Sequence, residues 1–117
     1  MNTRKTPRDL AMDLFYRSSC SVQMAAVITD KNGRIFSWGW NSVGNGEGKH
    51  AEDHAIGRAN RKRLSGATIT VAGRRVKTGK FVFSCPCKRC AEIIKSRGIK
   101  NVNFITKNGE WKTFKLR

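Results

Sequence analysis

The stretch SCPCKRCAEIIKSRGIKNVNFIT, residues 84–106, decides the fold. Pro86 stops any extended run that precedes it. Cys87, Cys90, Ala91 and Ile94 then fall at i, i+3, i+4 and i+7. A helix starting here presents both thiols on its inward face. Gly98 ends that helix, and the apolar run 102–106 behind it reads as a core strand. Just upstream, KFVFSC (80–85) predicts a short buried strand. Downstream, KNGE (107–110) turns at once into WKTFKL (111–116). Strands 102–106 and 111–115 are joined too tightly for a parallel crossover, so they pair antiparallel.

The same reading extends to the rest of the chain. Thr6, Pro7 and Asp9 supply an N-cap, a proline at the first helical position and an acid in the first turn. With Leu10, Ala11, Leu14 and Phe15 as its apolar stripe, this helix should run to about Arg17. Val22–Thr29 is too continuously apolar to face water on one side. DKNGR (30–34) is a turn with Asn32-Gly33 suited to positive φ, and RIFSWGWN (34–41) is the returning strand. NSVGNGEGK (41–49) is a Gly-rich loop leading to His50. From Ala51 to about Leu64 the pattern is helical, with Ala55, Ile56 and Ala59 inward and Arg58, Arg61, Lys62 and Arg63 outward. Thr68–Val71 reads as a strand, or 68–78 as a small hairpin. Strands interleaved with helices, without repeat or linker, indicate one α/β domain over residues 1–117, a helix–sheet–helix sandwich.

A net charge of +16 and a pI near 10.6 imply a phosphate-bearing partner. The alternative is a basic but inert surface, since the Lys and Arg are spread along the chain. No run approaches the ~18 apolar residues of a membrane span. The first residues carry charges where a signal peptide would be apolar, which predicts an intracellular protein. There the four Cys are metal ligands or free thiols rather than a disulfide framework.

KHAEDHAIGRA, residues 49–59, places His50 and Glu52 two apart at a helix start. Cys87 and Cys90 can bind one Zn²⁺ from the start of another helix, and His50 can supply a third ligand. Three ligands leave a tetrahedral ion one open position, as in catalytic sites. Both helix N-termini favour thiolate there. Glu52 could then carry protons at the site without ligating, which is hydrolytic chemistry at an sp² carbon.

His-x-Glu followed by Pro-Cys-x-x-Cys is the pattern of zinc deaminases of nucleobases. HAEDHAI (50–56) resembles the H-A-E helix of the cytidine-deaminase superfamily, most closely the H-A-E-x-N-A-I form of deoxycytidylate deaminases. SCPCKRCAEIIKSRGIKNV resembles their P-C-x-x-C-A-x-x-I-x-x-S-G-I-K-x-V segment. MAAVITDKNGRIFSWGWNSVG (24–44) is similar to their first hairpin, which ends in G-x-N. The resemblance covers roughly residues 7–106 in order. It implies a three-layer α-β-α cytidine-deaminase-like sandwich on a mixed five-stranded sheet. It also implies one Zn²⁺ per chain held by His50, Cys87 and Cys90, with Glu52 as proton shuttle. Asn41 matches the residue that contacts the sugar, and the Ala51 backbone N–H matches the group that binds the base carbonyl. Phe104 sits where relatives often carry a pocket Tyr.

This sequence departs from the family at several places. His54 replaces the usual Asn, Cys85 stands where Ser is usual, and residues 66–79 resemble an insertion. The tRNA adenosine deaminases and APOBEC-type enzymes place a helix between the last two strands and make them parallel; KNGE leaves no room for one. The ending resembles instead free-nucleoside deaminases and some bacterial toxin deaminases.

Other readings stand beside these. His54, at i+4 from His50, could close a structural Cys₂His₂ shell, or contact the base in place of Asn. Cys85 reads as a small buried thiol like Cys20, or as a substitute ligand. Trp38 and Trp40 are core, with Trp40 a candidate for base stacking at a pocket rim. RANRKR (58–63), with Arg74, Arg75, Lys77 and Lys80, is either a solvated face or one groove for a phosphate backbone. Hydrolytic deamination of cytosine to uracil in single-stranded DNA or RNA is the expected function, because a surplus of sixteen charges exceeds what one phosphate needs. The rivals are a free dCMP or cytidine deaminase, a non-catalytic zinc-containing nucleic-acid-binding module, and adenosine deamination in RNA. Self-association is expected to cover an exposed sheet face.

Overall fold

The computed structural model describes residues 5–43 and 50–116, so the Gly-rich segment 44–49 expected before His50 lies outside the described residues. The chain begins with α1 (Pro7–Asp13), where Thr6 accepts from the Asp9 N–H at 3.1 Å and Pro7 starts the helix. The helix expected to reach Arg17 tightens instead into a 3₁₀ turn at Phe15–Arg17. β1 (Val22–Thr29) and β2 (Ile35–Trp40) follow as an antiparallel hairpin. Only Gly33 of the turn takes positive φ (83°), and Asp30 Oδ1 receives the N–H groups of Asn32 and Arg34 at 3.0 Å.

The helix expected over Ala51–Leu64 is two pieces, α2 (Ala51–Arg58) and α3 (Arg61–Leu64). Ala59 is extended (φ −80°, ψ 146°), and the Asn60 side chain caps the second piece by accepting from Lys62 N–H at 3.0 Å. Asn competes for backbone donors in this way more readily than it sits inside a helix. β3 spans Thr68–Arg75, so residues 66–79 hold a central strand and are no insertion. α4 (Lys88–Ser96) leads past Gly98 (φ 86°) into β4 (Asn101–Ile105), and β5 (Trp111–Lys115) returns beside it.

The sheet order is β2-β1-β3-β4-β5. β3 and β4 are parallel across the α4 crossover, with Ile69 opposite Val102 and Val71 opposite Phe104. The other neighbours are antiparallel, including β4 and β5 as the short KNGE turn requires. One face packs Ala26, Ile28, Ile69, Val71 and Val102 against Ala55, Leu64 and Ile94. The other packs Ala25, Val27, Ala72 and Ile105 under Ala11, Leu14 and Phe15 of the N-terminal helix and turn. This is the three-layer α-β-α arrangement.

KFVFSC is not a strand. Phe81 makes a single bridge to Arg74, Val82 N–H bonds Gly73 O (3.0 Å) and Ser84 N–H bonds Ile105 O (2.9 Å). These bonds are shared between the ends of two strands, so no continuous ladder forms, and Phe83 is left 62% exposed. No helix among the described residues is long and apolar enough to cross a membrane.

Candidate metal centre

Two helix starts meet at one end of the sheet. His50 is the N-cap of α2 and Cys87 the N-cap of α4. Cys87 Sγ accepts from the Cys90 N–H at 3.5 Å, which fixes both sulfurs on the first turn of α4. Cys90 Sγ lies 3.3 Å from His50 Nδ1, and one donor atom from each of His50, Cys87 and Cys90 falls within 4.8 Å of the others. Around tetrahedral Zn²⁺, with bonds of about 2.0–2.3 Å, such donors stand roughly 3.3–3.8 Å apart. The three residues therefore fit one Zn²⁺ and leave a further coordination position.

The donor chemistry agrees. Burial pushes the Cys90 thiol far above its ordinary range, and the charges of Glu52 and Cys87 push it further. A buried Cys90 thiolate beside a second sulfur and a carboxylate needs a cation to offset the charge. Arg89 supplies part of that offset at the rim, within 3.8 Å of Cys90 Sγ. It also pairs with Asp53 (3.2 Å), linking the first turns of α2 and α4; so exposed a pair contributes little by itself, about 0–1 kcal/mol.

Glu52 is 6% exposed and stands outside the donor group. Burial raises its carboxyl above the usual range, against the lowering effect of its own backbone N–H and of the His50 charge. It borders a cleft of about 460 Å³, within the ~300–1,000 Å³ typical of small-molecule sites. His50, Ala51, Cys85 and Cys87 line the same cleft, as does Asn41. Ala51 is the first residue of α2, where a backbone N–H has no partner within the helix.

β2 holds α2 in place. Ser37 Oγ donates to Ala55 O at 2.6 Å, and Trp40 N–H donates to His54 Nδ1 at 3.2 Å. Gly39 lets strand and helix touch: a Cβ there would lie 2.5 Å from Ala55 N and 2.9 Å from Ala51 O. His54 is thus turned to the Trp40 backbone, edge-on to its ring at 4.5 Å, and does not join the donor group, so a Cys₂His₂ shell is not formed.

Asn41 is more constrained than a simple sugar contact implies. Its Oδ1 accepts from Met24 N–H (2.8 Å) and from Ser18 Oγ, while Nδ2 donates to Val22 O (2.9 Å). Among the described residues one amide hydrogen has no partner. Trp40 and Phe104 do not line the cleft. Trp40 packs on the α1 face with arginines over it, and Phe104 is core, 5.3 Å from Phe83 and 6.0 Å from Phe114. Phe104 takes that place because it is paired with Val71 in the sheet interior, facing α4.

Sequence reasoning missed four cleft residues: Cys20, Val22, Met24 and Ser42. Val22 and Met24 share a face with Ala26 and Ile28, so strand alternation could have found them once the cleft end of β1 was known. The Met24 side chain crosses Gly73, where a Cβ would meet its sulfur at 2.3 Å.

The family model for the cytidine and deoxycytidylate deaminase zinc-binding region matches residues 3–106. No curated protein matches the chain. Among solved structures, cytidine deaminase from Burkholderia pseudomallei aligns with TM-score 0.67 at 18% identity, over 90% of this chain and 86% of that one. Cytidine deaminase from Mycobacterium leprae aligns at 0.59 and 19%, over 89% and 87%. That from Mycobacterium tuberculosis aligns at 0.55 and 17%, over 80% and 76%. At these identities the likeness is one of fold.

Proposed function

This chain belongs to the cytidine and deoxycytidylate deaminase zinc-binding family, and on that premise we propose that it hydrolyses cytosine to uracil in single-stranded DNA or RNA. One observation carries the chemistry: a buried, non-ligating carboxylate, Glu52, borders the same cleft as His50, Cys87 and the first amide of α2.

His50, Cys87 and Cys90 would hold the zinc. When bound, zinc lowers the pKa of a water toward about 7. Glu52 takes a proton from the attacking water and delivers it to N3 of the base. As the C4–O bond forms and the C4–N bond breaks, Glu52 passes the second proton to the departing amine, which leaves as ammonia. Cytosine and water thus become uracil and ammonia, and the carboxylate is restored. The Ala51 N–H holds the base carbonyl, and the free amide hydrogen of Asn41 reaches the sugar. Cys85 lines the cleft with Glu52; its thiol is raised by burial and then by the Glu52 charge, so it serves as a neutral contact.

The charge supports the polymer over the mononucleotide. Sixteen excess positive charges far exceed the two or three needed for one phosphate. The test is product mass spectrometry with zinc-loaded protein offered dCMP, cytidine, and short single-stranded DNA and RNA in parallel. Uracil in the oligonucleotides, lost with Glu52→Gln while zinc is retained, is the expected result. Turnover of dCMP or cytidine alone would overturn the polymer substrate. Inosine from adenosine in RNA would overturn the cytosine assignment. No turnover of any substrate, with oligonucleotide binding unchanged by Glu52→Gln, would leave a non-catalytic zinc module.

A further inference from the structure

We propose that the mouth of the cleft carries the phosphate track of a single-stranded polynucleotide, built by Arg75, Lys77 and Lys80 at the end of β3 and the turn that follows it. This rests on the polymer-substrate reading above and gives it a location.

The topology supplies this track. Val22, at the start of β1, lines the cleft, and the antiparallel register places Arg75 directly opposite it. Residues opposite one another in an antiparallel pair project from the same face of the sheet. Arg75 therefore shares the cleft face, whereas Arg74, opposite Gln23, lies on the other face over Phe15 at 4.9 Å. The turn that follows is tied to the cleft wall. Val76 N–H donates to Ser21 O (3.0 Å), Gly79 N–H to Arg75 O (2.8 Å) and Arg75 N–H to Lys80 O (2.9 Å). Arg75, Lys77 and Lys80 are exposed on it, one residue from Cys20 of the cleft lining.

The arginines over Trp40 belong to the other face. Trp40 packs with the α1 layer, and there the Arg17 guanidinium lies 5.1 Å and that of Arg58 5.7 Å from its ring centre, with Arg58 also donating to Trp38 O at 3.3 Å. Among the described residues the ion pairs are Lys5–Asp13, Arg63–Asp30 and Arg89–Asp53, so none of Arg75, Lys77 and Lys80 is neutralised by one.

The remaining candidates for a phosphate groove lie elsewhere. Lys62 and Arg63 gather with Asp30, Lys31 and Lys100 around the far end of β1. The seven-residue rise from Val22 to Thr29 puts that group about 23 Å from the cleft end. The single groove expected from residues 58–63 and 74–80 is therefore divided, and only part of it faces the substrate.

Two triple variants test this, both in the Glu52→Gln background so that binding is read without turnover: Arg75→Gln, Lys77→Gln, Lys80→Gln, and Arg61→Gln, Lys62→Gln, Arg63→Gln. Fluorescence anisotropy of a labelled single-stranded cytosine-containing oligonucleotide is followed over a salt series, with circular dichroism as the folding control. The cleft-end triple should weaken binding by roughly tenfold or more and flatten the log–log salt slope by about two. The far-end triple should leave both nearly unchanged. The pair Lys77→Gln, Lys80→Gln, confined to exposed turn side chains, should flatten the slope by about one to one and a half and keeps the proposal testable if the cleft-end triple fails to fold. Equal losses from both triples, or a larger loss from the far-end one, would overturn the track while leaving oligonucleotide deamination standing. A parent protein that turns over dCMP or cytidine but binds no oligonucleotide would remove the substrate reading and the track together.

Discussion

Gly39→Ala tests whether the contact between β2 and α2 holds the site. The added methyl would sit 2.5 Å from Ala55 N, 2.7 Å from His54 Cβ and 2.9 Å from Ala51 O. Two of those atoms are helix backbone and cannot rotate away. Restoring ordinary contact at 3.4–4 Å requires α2 to retreat by about 1 Å. The same movement stretches the Ser37–Ala55 and Trp40–His54 hydrogen bonds. Overpacking of this kind costs about 1–3 kcal/mol, which at this chain length lowers Tm by roughly 3–18 °C. Because His50 and Glu52 ride on the first turn of α2, a 1 Å displacement should also reduce turnover by about 100-fold. Thermal unfolding, zinc content and kcat/KM are measured together. Gly57→Ala is the control: it lies on the same helix with open space around a Cβ, and should stabilise by about 0.5–1 kcal/mol. A Gly39→Ala protein that melts within about 2 °C of the parent and keeps full activity would refute the reasoning.

Removing zinc with a chelator should lower Tm, and Cys87→Ser or Cys90→Ser should abolish that difference along with stoichiometric zinc, as read by atomic absorption. Asn41→Ala strips partners from Met24 N–H and Val22 O and should cost about 1–3 kcal/mol for each group left unpaired, whereas Ser18→Ala removes one of two donors to Asn41 Oδ1 and should cost about 1 kcal/mol; urea unfolding separates the two. Arg63, followed by the Arg34 and Asn32 N–H groups, holds the Asp30 carboxyl below its ordinary range. The stability this gives is complete above the unfolded pKa of about 3.9 and is lost as pH falls through the lowered folded value. Asp30→Asn should therefore melt below the parent near neutral pH and converge with it in acid; a gap that persists at low pH would contradict the Arg63 contact as its source.

Which parts of this molecule could be read from its residues follows from how local each cause is. The cap at Thr6, the turn at Gly33 and the stop at Gly98 each depend on a few adjacent residues, and each appears where the pattern puts it. The donor set was legible because Cys87 and Cys90 are spaced by one helical turn and His50 opens another helix. Failures came where the cause is distant. KFVFSC has the composition of a strand, but its N–H groups are divided between Gly73 and Ile105, which only the assembled sheet brings near. Residues 66–79 looked like an addition because their place between β1 and β4 depends on pairing with segments some thirty to fifty residues away. The Asn60 cap was a local signal, overlooked because apolar spacing runs on through Leu64.

The division of the basic residues is a case of the same rule with consequences for function. Read along the chain, 58–63 and 74–80 are two cationic blocks that could line one groove. In space β3 runs between them, so its eight residues carry the chain from one end of the sheet to the other. Arg61–Arg63 are delivered before β3 begins, at the end of β1 far from the cleft, and 75–80 from its last residue onward, at the cleft. Total charge governs how strongly a polyanion is attracted, but the direction of β3 decides which charges can lie beside a base placed over His50 and Glu52. A salt response lost with residues 75–80 and kept with 61–63 would follow from strand order; attraction by net charge alone would make the two sets interchangeable.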